Sequence, residues 1–346
     1  MSQFALTKQF LHWYSLMVAA GVLLLICSGG LVTSHGAGMA VPDWPNSFGY
    51  NMFLFPISRW VGGVFFEHTH RLIASGVGLL TIALFILTLI VENRVWVKWL
   101  AGIAVLAVIF QGVLGGLRVT EHNAVLGLFH GCLAQGFFCL VSTIALVTSR
   151  FWRQIQPAAN RGEIYTLRFW TFVVTAMLFV QLVSGASMRH SHTGLAIPDF
   201  PTVYGGFFPP LDPASIAKIN AARAVTQAGP PITPGLIMLQ YAHRGWAVLI
   251  VVGLVSVATA ILRNRQISGP ARSAAGAWLA LVFGQFILGA WTIWSNKAAD
   301  IATAHVFVGA LIFMTGVLLS VVLSAMISPA RQEEVLSTLP KEAAKA

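Results

Sequence analysis

Eight stretches of about 20 predominantly apolar residues, the length that carries an α-helix across a bilayer, recur at 10–32, 66–91, 96–117, 122–148, 168–187, 236–262, 272–294 and 300–327. Hydrocarbon offers no water to backbone N–H and C=O groups, so uninterrupted spans of this kind fold as helices. The fold class expected is therefore an all-α integral membrane protein with eight transmembrane helices. Composition agrees: 57% of the residues are hydrophobic and 9% are charged, against about 25% charged in soluble domains. The first stretch is too long for the core of a signal peptide, and its end reappears later in the chain, so it counts as structure.

A formal net charge of +10 would suit nucleic acid only if the cations formed a patch with interleaved aromatics. Instead they lie in short connections: Lys8, Arg94, Lys98, Arg150, Arg153, Arg161, Arg168, Arg263, Arg265, Arg272, Arg331, Lys341 and Lys345. By the positive-inside rule this places both termini in the cytoplasm, and the chain as a multi-pass protein of the cell's inner (plasma) membrane. The three cysteines, Cys27, Cys132 and Cys139, all fall inside apolar runs, without a CxxC spacing, and read as inert buried thiols.

The chain repeats itself. "GMAVPDWPNSFG" (38–49) matches "GLAIPDFPTVYG" (194–205), "HRLIASGVGLL" from His70 matches "HRGWAVLIVVG" from His243, and "QGVLGG" from Gln111 matches "QFILGA" from Gln285. Each repeat holds four spans, an even number, so both halves cross the membrane in the same direction. The expected organisation is two tandem, parallel-repeat four-helix bundles. They occupy 1–150 and 168–327, joined by a cytoplasmic linker, 151–167, and followed by a polar cytoplasmic tail, 328–346.

Two histidines recur in each half: His70 and His130 in the first, His243 and His305 in the second. All four fall in the first third of an even-numbered span and so share one depth, toward the outer side. Paired imidazoles on two helices of a bundle suit the two axial positions of a haem iron. Zinc or copper is the alternative, and nothing in the pattern supplies a third and fourth ligand for it. Arg71 and Arg244 directly follow the first histidine of each pair, where a guanidinium could meet haem propionates or simply snorkel to the interface. His35, His122, His190 and His192 read as residues of the outer connections; His35 and His192 could reach a cofactor edge. Trp44 and Phe200, in the two long loops (33–64 and 188–235), are expected to cap the pockets.

The halves differ at one telling position. Glu67 stands three residues before His70, on the same helical face, where the second half has Gln240 before His243. A carboxylate beside a haem edge can take a proton or stabilise positive charge during an oxidation; its other reading is that it orients a neighbouring imidazole. The first half is then the reaction site, with Glu67 as candidate catalytic residue, and the second holds a redox haem. A dihaem b-type electron-transfer cytochrome would need no such carboxylate, and a transporter would show ionisable residues near the midplane.

Taken together, "EHTHR", His130, "AHRG", His305 and the doubled "PDWP"/"PDFP" loops resemble the haem A synthase family, over essentially the whole chain before the tail. The resemblance implies oxidation of the C8 methyl of haem O to a formyl group by successive hydroxylations and loss of water. It implies haem b between His243 and His305, haem O as substrate at His70 and His130, and the essential carboxylate at Glu67. Partners implied are the lipid bilayer, a haem O synthase as donor, a membrane electron acceptor and, as an option, a homo-oligomeric copy. Some members carry a cysteine pair in the first long loop, whereas residues 33–64 here contain no cysteine.

Overall fold

The computed structural model describes residues 3–226 and 231–329. The tail expected over 328–346 lies outside them from residue 330 onward. The helices, in chain order, are α1 (Gln3–Ser34), α2 (Gly62–Val91), α3 (Val95–Thr120), α4 (Ala124–Thr148), α5 (Arg150–Gln154), α6 (Arg161–His190), α7 (Pro213–Val225), α8 (Pro234–Arg263), α9 (Gly269–Trp294) and α10 (Ala299–Ile327). Among the described residues, eight of these are long and apolar enough to cross a membrane, all except α5 and α7. The eight spans and the all-α class read from the sequence are thus present.

Three details differ from the sequence reading. Helix α6 begins at Arg161, inside the stretch expected as linker, because the Asn160 side chain accepts from Glu163 N and Glu163 places negative charge in the first turn. The same helix runs on to His190, so Arg189 and His190 belong to its last turn. The long loop 188–235 contains α7, for which Asp212 caps Ser215 N and Pro213 opens the first turn.

α1 packs on α2 and α4, and α3 packs on the same two, closing a ring of four; α6, α8, α9 and α10 close a second ring in the same way. The rings share a wall in which α1 and α4 meet α10, and α4 also meets α6. Its apolar filling is continuous, since Ala310 of α10 belongs to the buried cluster of the first ring with Val18, Val22 and Ile144. Close approach at this wall needs a residue without a side chain: a methyl at Gly30 would stand 2.9 Å from Thr303 Cγ2.

At one end of the molecule two long loops fold alike. Asp43 accepts from Phe48 N and Gly49 N (both 2.7 Å). Asp199 accepts from Tyr204 N (2.7 Å) and Gly205 N (2.8 Å). In each turn the aromatic and the glycine have positive φ, 52° and 76° in the first, 52° and 77° in the second. Burial alone would raise the Asp43 pKa, but the N–H donors and the nearby Arg71 charge outweigh it and hold the carboxyl below its ordinary value. A depressed folded-state pKa means that the turn keeps this contribution above about pH 4 and loses it as pH falls through the lower folded value. Amide exchange at Phe48 and Gly49, corrected for intrinsic rate, is expected to quicken only on that acid side. Exchange already fast at pH 7 would contradict the assignment.

Candidate functional site

Helix α2 opens with the densest polar run of any span, and its register separates the run into three jobs. Glu67 and Arg71, one turn apart, face the first long loop. Glu67, 4% exposed, accepts from Val41 N through Oε2 (2.9 Å) and from Arg71 through Oε1 (2.8 Å). Arg71 spends its terminal nitrogens on that carboxylate and on the carbonyls of Val41 (2.8 Å), Asp43 (2.6 Å) and Asn46 (3.0 Å). His68 is fully buried on another face, with Ser47 Oγ 3.2 Å from Nδ1 and the rings of Phe55 and Trp60 around it. That leaves His70 for the interior.

The second ring repeats the latch without the charge. Gln240 accepts from Ile197 N through Oε1 (2.7 Å) and donates to Gly194 O (3.0 Å), while Arg244 donates to the carbonyls of Ile197 (3.2 Å) and Thr202 (3.1 Å). Both arginines therefore hold loop backbone. Above them, the Trp44 ring lies where a side chain on Gly116 of α3 would be, as close as 2.3 Å to its Cβ position. Phe200 packs edge-on against Phe286 and Trp294 of α9, with Arg244 over its ring.

Each of the four repeated histidines has a glycine on the neighbouring helix facing its ring. A methyl at Gly29, Gly115, Gly185 or Gly289 would stand 3.1, 3.2, 3.3 or 3.2 Å from Cε1 of His70, His130, His243 or His305 respectively. His70 and His130 lie close enough to interact electrostatically, as do His243 and His305. The ring nitrogens are held differently. Ser184 Oγ lies 2.7 Å from His243 Nδ1, and Gln181 Nε2 lies 3.1 Å from its Nε2. With its amide nitrogen toward His130, Gln111 donates to Nδ1 at 2.7 Å, and Gln285 lies 3.4 Å from His305 Nε2. His70 Nδ1 and His305 Nδ1 are buried with no hydrogen-bond partner among the described residues.

These features fit a haem. The unpartnered imidazole nitrogens of His70 and His305 are available for a ligand, and the missing Cβ of Gly29, Gly115, Gly185 and Gly289 lets each of the four rings lie against the backbone of the neighbouring helix. No group of three or more His, Cys, Asp or Glu among the described residues is placed to hold a metal ion. The donor chemistry is pairs of imidazoles, which suits an iron whose four in-plane positions are filled by a macrocycle.

The other histidines sit at the rim. His35 stacks on Phe66, and His122 and His192 occupy the left-handed turns that end α3 and α6, with φ of 48° and 54°. His190 Cε1 lies 2.7 Å from where a methyl on Gly127 would be. Sequence reasoning passed over Gln181, Ser184, the four glycines, and two cations, Arg118 and Lys297. The signal for Gln181 was its exchange for Leu25 in the repeat, and for Arg118 its exchange for Thr292.

Residues 50–317 match the family model described as a cytochrome oxidase assembly protein, COX15-CtaA. The chain is similar to a protein named heme A synthase from Alkalihalophilus pseudofirmus, 26% identical over 306 residues, covering 87% of this chain and 93% of that one. It is 25% identical over 246 residues to one of the same name from Lysinibacillus sphaericus, covering 69% and 75%. A third, from an Exiguobacterium strain, is 31% identical over 185 residues, covering 52% and 58%. With more than three quarters of its length matched by the family model, and with the paired histidines of both rings inside the match, the chain belongs to the COX15-CtaA family of cytochrome oxidase assembly proteins.

Proposed function

We propose that the chain converts haem O to haem A, oxidising the C8 methyl group to a formyl group in the first ring of helices while the second ring holds haem b between His243 and His305. The observation that carries this reading is the contrast between two otherwise matched sites: Glu67 is a buried carboxylate where Gln240 is a neutral amide, on the same backbone acceptor bond. The name shared by the relatives in Alkalihalophilus, Lysinibacillus and Exiguobacterium points to the same reaction.

In this reading His70 and His130 take the substrate iron. His243, whose Nδ1 is oriented by Ser184, takes the resident one, and such a partner fixes tautomer and ring direction. Each pair thus has one imidazole whose Nδ1 is held, His130 by Gln111 and His243 by Ser184, and one, His70 or His305, whose Nδ1 has no hydrogen-bond partner among the described residues. Haem b, when bound, supplies one-electron transfer inside the membrane. Glu67 accepts the proton released as the methyl group is oxidised, and the Val41 N–H and Arg71 keep its oxygens in place. Trp44, lying over Gly116, excludes water from the first pocket.

The architecture we infer is the duplicated pair of four-helix bundles, 1–150 and 168–327, in a plasma membrane, with the long loops outside and both termini in the cytoplasm. Substrate then enters from the bilayer, handed over by a haem O synthase, and electrons pass to a membrane acceptor. Expression in a host that makes haem O but no haem A, followed by haem extraction and mass detection, tests the reaction. Haem A or its hydroxylated precursor is expected. Haem b alone at two per chain, despite available haem O, would instead establish the dihaem cytochrome.

A further inference from the structure

Arg118 lies near the end of α3, one turn beyond Gly115, and its guanidinium occupies the space in front of Gly38: a methyl on Gly38 would stand 1.9 Å from its Nη2. Its Cδ and Nε also flank Gly127, as His190 does. No hydrogen bond or ion pair engages this guanidinium among the described residues, whose two ion pairs are Arg71–Glu67 and Arg94–Glu92. Gly127 lies one turn before His130 on α4, and Gly115, one turn before Arg118 on α3, faces the His130 ring, which places the guanidinium at the rim of the first site.

The second ring has a cation in the corresponding place by a different route. The residue matching Arg118 is Thr292, yet Lys297, from the turn between α9 and α10, reaches the loop glycine that matches Gly38: its Cδ would stand 3.3 Å from a methyl on Gly194. A third cation, Arg189, donates to Gly30 O and Ser34 Oγ across the shared wall (both 2.6 Å) and has no carboxylate partner among the described residues. Half-buried cations without counterions are costly unless an anion joins them. A haem carries two carboxylates on one edge, and Arg71 and Arg244 have already committed their terminal nitrogens to loop carbonyls.

We propose that Arg118 is the carboxylate anchor of the first site, binding a propionate of the substrate haem and thereby setting which edge of the porphyrin faces Glu67; Lys297 stands in the equivalent place in the second. This rests on the haem O reading above. The anchor works by charge-assisted hydrogen bonding, which a neutral ester cannot accept with equal strength.

The test uses full-length protein purified from a host that makes no haem O, titrated with haem O and, separately, with haem O dimethyl ester, following the Soret band. Arg118→Gln is expected to weaken binding of the free acid by about 10- to 100-fold and to leave ester affinity within about twofold; Arg118→Lys is expected to recover most of the loss. Resident haem content, unchanged in each variant, reports that the protein is folded. Equal weakening of acid and ester, or no weakening of either, overturns the anchor while leaving the haem O reading in place. Failure of the wild type to take up haem O at all overturns both.

Discussion

Replacing His243 with Ala is expected to reduce the haem that co-purifies with the protein by tenfold or more, with the remaining absorbance lacking a bis-imidazole spectrum. The argument starts from what holds the ring. Ser184 Oγ holds His243 Nδ1 at 2.7 Å, which leaves Nε2, facing Gln181 Nε2 at 3.1 Å, as the nitrogen that meets the iron once the Gln181 amide turns aside. Losing an outer partner of a metal ligand typically costs about 10- to 100-fold in affinity, and losing the ligand itself costs at least as much. Ser184→Ala supplies the graded control: the imidazole stays, its orienting contact goes, and haem retention falls by about tenfold. Gly185 makes the interpretation independent of the ligand, because its missing Cβ leaves 3.3 Å to His243 Cε1. A Val there is expected to exclude the haem while keeping the histidine. Unchanged haem content in His243→Ala protein would remove the second ring as the resident site.

Glu67→Gln is expected to lower haem A output by about 100-fold or more, the usual contribution of a general acid or base being 10² to 10⁴, while resident haem and substrate binding persist. The second ring is the reason this substitution is clean. Gln240 shows that an amide oxygen at this position can accept the loop N–H, at 2.7 Å from Ile197 N against 2.9 Å for Glu67 from Val41 N. What Gln cannot reproduce is the charge against Arg71, or a base. Accumulated haem O, or a partly oxidised intermediate, with a normally protected 38–49 loop is the expected pattern. Normal haem A output would leave Glu67 as a loop latch alone. Glu67→Ala is a poorer experiment because it leaves Val41 N and Arg71 unpartnered in a buried place.

Eight spans and four histidines were legible because both are written in one dimension: apolar length, and recurrence at fixed offsets between the halves. The meaning of Glu67 was only half legible. Its spacing to His70 could be read, but its bond to Val41 crosses 26 positions of loop, and the fold of that loop depends on Asp43 and on glycines with positive φ. Arg71 reads in sequence as either a propionate partner or an interfacial anchor, and nothing local shows that the loop carbonyls come back to it. Lys297 escaped because it answers Arg118 in space but not in alignment, arriving from a turn where the other comes from a helix. Helix α7 escaped because it lies in a loop between spans, outside the apolar pattern that located the other long helices. Its Asp212–Pro213 start was nonetheless in plain view.

The wall between the rings has a consequence for how the protein is made. Gly30 and Ser34, on α1, meet Thr303 on α10, and Ser34 also meets Arg189, 155 positions away. Contacts of such separation form only when the intervening chain is in place. The four helices of the first ring can meet one another before α10 is made, but the outer face of α1 at Gly30 and Ser34 gains its neighbours only when α6 and α10 are in place. Without α10 the Gly30 face of α1 would lack the Thr303 methyl that packs against it and Ser34 would lack the Thr303 hydroxyl, so the seam between the rings matures only when α10 arrives.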